Sequence, residues 1–253
     1  MSKYFQIDLS EISAGLTHQI GNFMRILLYC NNYNYILIAP IFKLHGIHNN
    51  GKHILTNLSD YIDFKTIIVN NKSLEIVFSN ENIKNEDIIN VEAKTYISGL
   101  LVNDDMFKNL ECFSIKFSYN ENILNISKEI SKQLGDYLCI HVRRTDRMTT
   151  EEINRDTSPD NILQKIKKYN NKTVYIMTDE KISFFDKLKE QKYYSIYFFS
   201  DFEILKKIKE QDNYMLFCIE NEICNLANKR ISTWKTTNVN KYIDYLSETF
   251  GYQ

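Results

Sequence analysis

The chain has 253 residues and 43% hydrophobic content, enough for one large domain or two small ones with filled cores, so intrinsic disorder is excluded. Its net charge is −1 and no basic stripe runs along it, which argues against a nucleic-acid partner. No run of about 18 apolar residues occurs, and the N-terminus lacks a basic region followed by an apolar one, so neither a transmembrane segment nor a signal peptide is expected.

In chain order, Phe5, Ile7 and Leu9 alternate and predict a strand. A turn follows around Ser13, Ala14 and Gly15. Ile20, Phe23, Met24, Leu27 and Leu28 then fall at helical spacing, and the apolar run 35–39, stopped by Pro40, reads as a buried strand. Strand, helix and strand in this order make a βαβ unit and imply a parallel sheet. Residues 66–69, 74–79 and 95–98 read as strands. Residues 103–111 and 121–134 read as helices, the second closed by Gly135.

From there strands and helices alternate regularly. Residues 137–142 (YLCIHV), 174–178 and 195–199 read as strands, with a short one at 230–233. Between them lie a helix opened by Pro159, one through Phe184, Phe185 and Leu188, one capped by Ser200 or Asp201, and one through Leu216, Ile219, Ile223 and Leu226. A last helical stripe runs through Val239, Tyr242, Ile243 and Leu246. The pattern predicts an α/β protein of two Rossmann-like halves, residues 1–134 and 135–253.

The five cysteines, Cys30, Cys112, Cys139, Cys218 and Cys224, are odd in number and show no CxxC or Cys/His ligand spacing. They read as reduced, mostly buried thiols of a cytoplasmic protein. His45, His48 and His53 lie close together, and a Gly/Asn-rich loop accounts for them better than a metal site.

Arginine is rare, with six residues against twenty-five lysines, yet Arg143, Arg144 and Arg147 fall within five positions. In an open parallel sheet, ligands bind beyond the carboxyl ends of the strands, and Arg143 and Arg144 follow the strand YLCIHV at that edge. A guanidinium presents a rigid fork of donors that matches two phosphate oxygens at once, which an ammonium cannot do. Residue types and positions alone leave two readings: a diphosphate clamp, or an Arg/Asp ion-pair cluster on a surface turn. A kinase catalytic loop is excluded, since neither a GxGxxG loop nor an Asp-Phe-Gly is present.

His141-Val142-Arg143-Arg144-Thr145-Asp146 matches the HxRRxD motif of GDP-fucose-dependent fucosyltransferases. The longer run HVRRTDRMTTEE resembles the corresponding stretch of α1,6-fucosyltransferases and rhizobial nodulation fucosyltransferases. VYIMTDE resembles the family's strand ending in a Thr-Asp-acid turn, and AGLTHQIGNFMRILLY its N-terminal glycine turn and helix, with Gln19 at the matching glutamine. STWKTTNV is similar to a Ser/Thr-rich motif near the sugar nucleotide, though Trp234 and Lys235 break the match. The likeness is specific over about twelve residues and loose elsewhere, and the chain is short for the family.

The resemblance implies a GT-B glycosyltransferase of two Rossmann-like domains with parallel sheets facing a cleft, the C-terminal one binding the nucleotide sugar. It implies inverting transfer of fucose from GDP-fucose to a glycan or other hydroxyl acceptor, with no metal and no further cofactor. Arg143 is then the pyrophosphate ligand, with Arg144 supporting it or touching the sugar. His141 shapes the loop, Asp146 orients the arginines, and Glu151 is the general base, with Glu152 able to substitute. Asp179 lies near the nucleotide sugar or simply caps a helix. Thr236, Thr237 and Asn238 donate to phosphate or cap a helix, and Gly15 allows close approach of the N-terminal turn. Two alternatives stand beside this: a non-catalytic protein of the same fold that binds sugar nucleotides, and a transferase using another nucleotide sugar.

Overall fold

The computed structural model describes residues 3–91, 115–144 and 151–233. The strands expected at 95–98, the helix at 103–111 and the stripe from Val239 to Leu246 lie outside them. The chain divides into two compact units, Met1–Glu121 and Asn122–Gln253.

In the first unit the expected βαβ is present. Strand β1 (Lys3–Ala14) leads through Gly15 into helix α1 (Leu16–Tyr33), and β2 (Tyr35–Ile38) pairs with β1 in parallel. Phe5, Ile7 and Leu9 are all buried, as their alternation predicts. β1 runs further than the alternation indicates. Its outer half pairs in parallel with β3 (Ile41–Leu44), across a register shift between Leu9 and Ser13. The sheet order is β4-β3-β1-β2-β7, with β8 (Ile88–Val91) also on β1. β4 (Ile54–Thr56) pairs antiparallel with β3, and β7 is only Ile76–Val77, shorter than the run 74–79 suggests. Helix α1 buries Ile20, Phe23, Met24 and Leu27, and Phe23 meets Phe42 edge-on at 6.0 Å. β5 (Ile62–Val69) contains the expected 66–69, but it pairs antiparallel with β6 (Lys72–Ser73) and β9 (Ile115–Tyr119) in a separate small sheet.

The second unit holds a fully parallel four-stranded sheet, in the order β12 (Ser195–Tyr197), β11 (Thr173–Thr178), β10 (Tyr137–Val142), β13 (Lys229–Ser232). Every residue of β10 is buried, which is why its sequence is a continuous apolar run. Leu138, Ile140 and Val142 face Ile162 and Ile166 of helix α4 (Pro159–Ile166), together with Phe185, Leu188 and Phe198. Each such burial stabilises by roughly 1.5–3 kcal/mol, so Ile140→Ala would open a cavity where nothing can collapse. The other face meets helix α7 (Asn213–Leu226). Tyr137 donates to Ile223 O at 2.6 Å, and Tyr175 donates to Glu220 at 2.8 Å.

Helix α2 (Glu121–Leu134) packs within this unit: Ser127 Oγ lies 3.1 Å from Ile219 O, and Ser131 Oγ lies 2.8 Å from Tyr137 Oη. Gly135 ends it at φ +72°, its N–H donating to Ser131 O, a conformation that favours glycine. Ser158 Oγ caps α4 ahead of Pro159. The helix expected to be capped by Ser200 or Asp201 instead begins at Glu203 (α6, Glu203–Gln211), because Asp201 accepts from Phe198 N across a short 3-10 turn. The stripe of Phe184, Phe185 and Leu188 becomes a 3-10 turn, Ile182–Phe185, followed by the short helix α5 (Asp186–Lys189).

Cys139 and Cys224 depart from the expectation of reduced thiols. β10 packed on α7 brings their Cα atoms to 5.1 Å, and their sulfurs are joined in a disulfide. Cys30 and Cys218 are free and buried.

Candidate active site

Parallel pairing brings the carboxyl ends of three strands level, with Val142 opposite Thr178 and His141 opposite Ser232. The segments leaving them therefore start side by side: Arg143 and Arg144 after β10, Asp179 and Glu180 after β11, and Thr233 after β13. Two cross-links tie these exits together. Arg144 N donates to Asp179 Oδ1 at 2.8 Å, and Thr233 Oγ1 donates to His141 O at 3.0 Å. Asp179 thus holds the exit of the neighbouring strand.

The two arginines differ sharply. Arg144 is buried, and its guanidinium is held by three side chains and a ring. Nε donates to Glu180 at 3.2 Å, Nη1 to Thr157 Oγ1 at 2.5 Å and Nη2 to Asn154 Oδ1 at 3.1 Å, while the Phe184 ring lies 4.1 Å below the guanidinium carbon. This fork joins the β10 exit to the β11 turn and to the segment around helix α3 (Glu151–Asp156). The sequence reading has Arg144 supporting Arg143 or touching the sugar; the partners observed for its guanidinium are side chains of its own unit. Glu180 ends the run VYIMTDE. Asn154, Thr157 and Phe184 carry no local signal, because folding alone brings them to Arg144.

Arg143 is half-buried at the same edge. His141 sits beneath it, buried and neutral. Burial first, then the nearby charges of Arg230 and Arg143, push its pKa down to about 3. Its carbonyl accepts from both Thr233 N and Thr233 Oγ1, so His141 helps fix the exit of β10. Asp146, Thr236, Thr237 and Asn238 lie outside the described residues.

Helix α3 opens on Glu151, whose side chain is exposed. Glu151, Asn154, Arg155 and Ser158 line a cavity of about 520 Å³. The sequence reading named only the first of these four.

At the carboxyl edge of the first unit's sheet, Gly15 precedes α1 with φ −66° and ψ 158°, a conformation open to any residue. A Cβ there would meet only His48, at an ordinary 3.9 Å. The protein itself therefore does not require glycine at this turn. Gln19 is buried. Its amide donates to Ile12 O at 2.7 Å and Lys43 O at 3.0 Å, and its oxygen accepts from Asn22. It satisfies a carbonyl inside the register shift of β1 and ties β1 to β3. The three histidines form the expected loop: His45 Nδ1 accepts from Ile47 N, and His53 Nδ1 lies 3.2 Å from Gly46 N. Among the described residues no group of three His, Cys, Asp or Glu could hold a metal ion, and no helix is long and apolar enough to cross a membrane.

No protein-family model and no curated protein matches the chain. Solved structures do. POFUT1 in complex with GDP-fucose superposes with a TM-score of 0.52 at 9% identity, covering 91% of this chain and 97% of that one. POFUT1 in complex with GDP gives 0.53 at 10% identity over 91% and 98%. NodZ α-1,6-fucosyltransferase soaked with GDP-fucose gives 0.51 at 9% identity over 97% and 92%. The chain is a mixed α/β protein with parallel sheets, and its fold is that of the GT-B fucosyltransferases.

Proposed function

We propose that the protein is an inverting glycosyltransferase that moves fucose from GDP-fucose to a hydroxyl acceptor, using arginine rather than a metal ion at the diphosphate. The observation that carries this reading is the asymmetric arginine pair. Arg144 is built into the fold and fixes the exit of β10, and that exit presents Arg143 at the carboxyl edge of a parallel sheet, where such folds bind nucleotides. The HxRRxD match and the shared fold support the same assignment.

In this reading Arg143 contacts the diphosphate. As the bond between the sugar's anomeric carbon and the phosphate oxygen breaks, the electron pair leaves with the diphosphate. A guanidinium already in place binds that growing charge more tightly than the ground state. Asp146 orients the arginine. Glu151 takes the proton from the acceptor hydroxyl, whose oxygen forms the new bond at the opposite face of the sugar, so the anomeric centre inverts. Asp179 holds the loop, and Thr236, Thr237 and Asn238 donate to phosphate.

The test is a thermal-shift titration with GDP in the presence of a chelator, followed by turnover of GDP-fucose against other nucleotide sugars. GDP at a hundred times its Kd should stabilise by about 2.7 kcal/mol. GDP-fucose should be turned over fastest. Stabilisation without sugar release would identify a non-catalytic binder, and no stabilisation would reject the reading.

A further inference from the structure

Glu151 and Arg155 are four residues apart on α3, the spacing at which opposite charges on a helix meet. Here they do not pair. Arg155 Nε lies 3.2 Å from Asp156 Oδ1, and its two terminal nitrogens have no hydrogen-bond partner among the described residues; neither has the Glu151 carboxylate. Both line the same open pocket of about 520 Å³.

The backbone under Arg155 is unusually well held. Its carbonyl accepts from Ser158 N at 3.2 Å, Ser158 Oγ at 2.7 Å and Asn161 Nδ2 at 2.5 Å. Asn154, also in the wall, is fixed through its oxygen by Arg144, so its amide N–H groups are the part left to donate elsewhere. The wall thus combines a carboxylate, an amide and a guanidinium with two open donors, all mounted on a braced turn.

We propose that this cavity is the acceptor subsite and that it selects a hydroxylated acceptor carrying an anionic group, such as an acidic sugar. The assignment rests on the glycosyl-transfer reading above. The hydroxyl faces Glu151, which accepts its proton, and the anion meets the terminal nitrogens of Arg155 as a two-pronged ion pair. The donor's diphosphate is the other anion that Arg155 could meet, but an uncompensated carboxylate in the same wall repels a doubly charged group. An acceptor keeps hydroxyl and anion apart and satisfies both charges.

The experiment is saturation-transfer NMR on the GDP-loaded protein with matched sugars: methyl glucoside against methyl glucuronide, methyl galactoside against methyl galacturonide, and lactose against sialyllactose. At least one acidic member should bind about tenfold more tightly than its neutral partner. Arg155→Ala and Arg155→Gln should both erase that preference while the GDP thermal shift is retained. Equal binding within every pair, no binding of any acidic sugar, or a preference that survives both variants overturns the proposal. Loss of the GDP shift in either variant also overturns it, by placing Arg155 at the donor. Absence of a GDP shift in the unaltered protein rejects the transferase reading itself, a different outcome from a GDP shift without acid preference.

Discussion

Each unit has a parallel sheet whose carboxyl edge gathers polar side chains, and the two edges use them differently. In the first unit, Gln19, His45 and His53 bond to main-chain groups of the strands and loop around them. In the second, that task falls to Arg144 and Asp179, while Arg143, Glu151 and Arg155 stand at the edge or around a cavity. A polar residue at a strand end is therefore not evidence of a site until its partners are known. Arg144, next to Arg143 in sequence, is bound to Glu180, Thr157 and Asn154.

The largest effect expected is at Arg144. Arg144→Ala removes a buried guanidinium from Thr157 and from the more exposed Glu180 and Asn154, and should lower stability by roughly 2–3 kcal/mol in urea denaturation. Arg144→Lys should recover little, because one ammonium cannot reach partners arranged for a fork. If the alanine variant were as stable as the parent, the contrast between the two arginines would fail.

Next comes Arg143→Ala. Transfer should fall by about 10²–10³, and the thermal shift caused by GDP should vanish in a protein that still folds by circular dichroism. An unchanged shift would move the diphosphate elsewhere.

Two buried groups of the second unit titrate with opposite signs. Burial raises Glu220 to about 7, against the lowering effects of its Tyr175 hydrogen bond and of Lys209. Between its ordinary 4.5 and 7 the folded state holds the extra proton, so this group's contribution to stability falls as pH rises and is lowest above 7. His141, lowered from 6.5 to about 3, behaves oppositely: the unfolded state holds the extra proton, so stability rises with pH through that window. Glu220→Gln should therefore leave stability rising between pH 4.5 and 6.5, and His141→Gln should leave it falling, each by roughly 2 kcal/mol across that window. Melting curves at pH 4.5, 5.5 and 6.5 read both slopes. Equal slopes in the two variants would contradict the assignment.

The smallest effect is at the first unit's edge. Gln19→Ala removes the donors to Ile12 O and Lys43 O and should cost about 1–3 kcal/mol. A Gln19 that mattered only to ligand would leave stability unchanged.

Much of the fold was legible because burial imposes a period on the sequence. β1, α1, β2 and the alternation from α2 to β13 follow from apolar spacing and from the helix signals at Gly135 and Pro159. The hairpin β3–β4 and the strands β8 and β9 were missed, since they are short and mix exposed with buried residues. Of the candidate site, the arginine pair was visible through residue choice and motif, and Glu151 through its place in the same motif.

The sequence by itself determined where β10 and β11 end, and so which residues leave that sheet's carboxyl edge, because apolar period is a property of neighbours along the chain. Only the tertiary structure decided that Arg144 is enclosed by Glu180, Thr157, Asn154 and Phe184, that Cys139 meets Cys224, and that Arg155 shares a cavity with Glu151. Hydrogen bonding, burial and charge pairing act through space, and residues far apart in sequence become partners only once the sheet has brought their elements together.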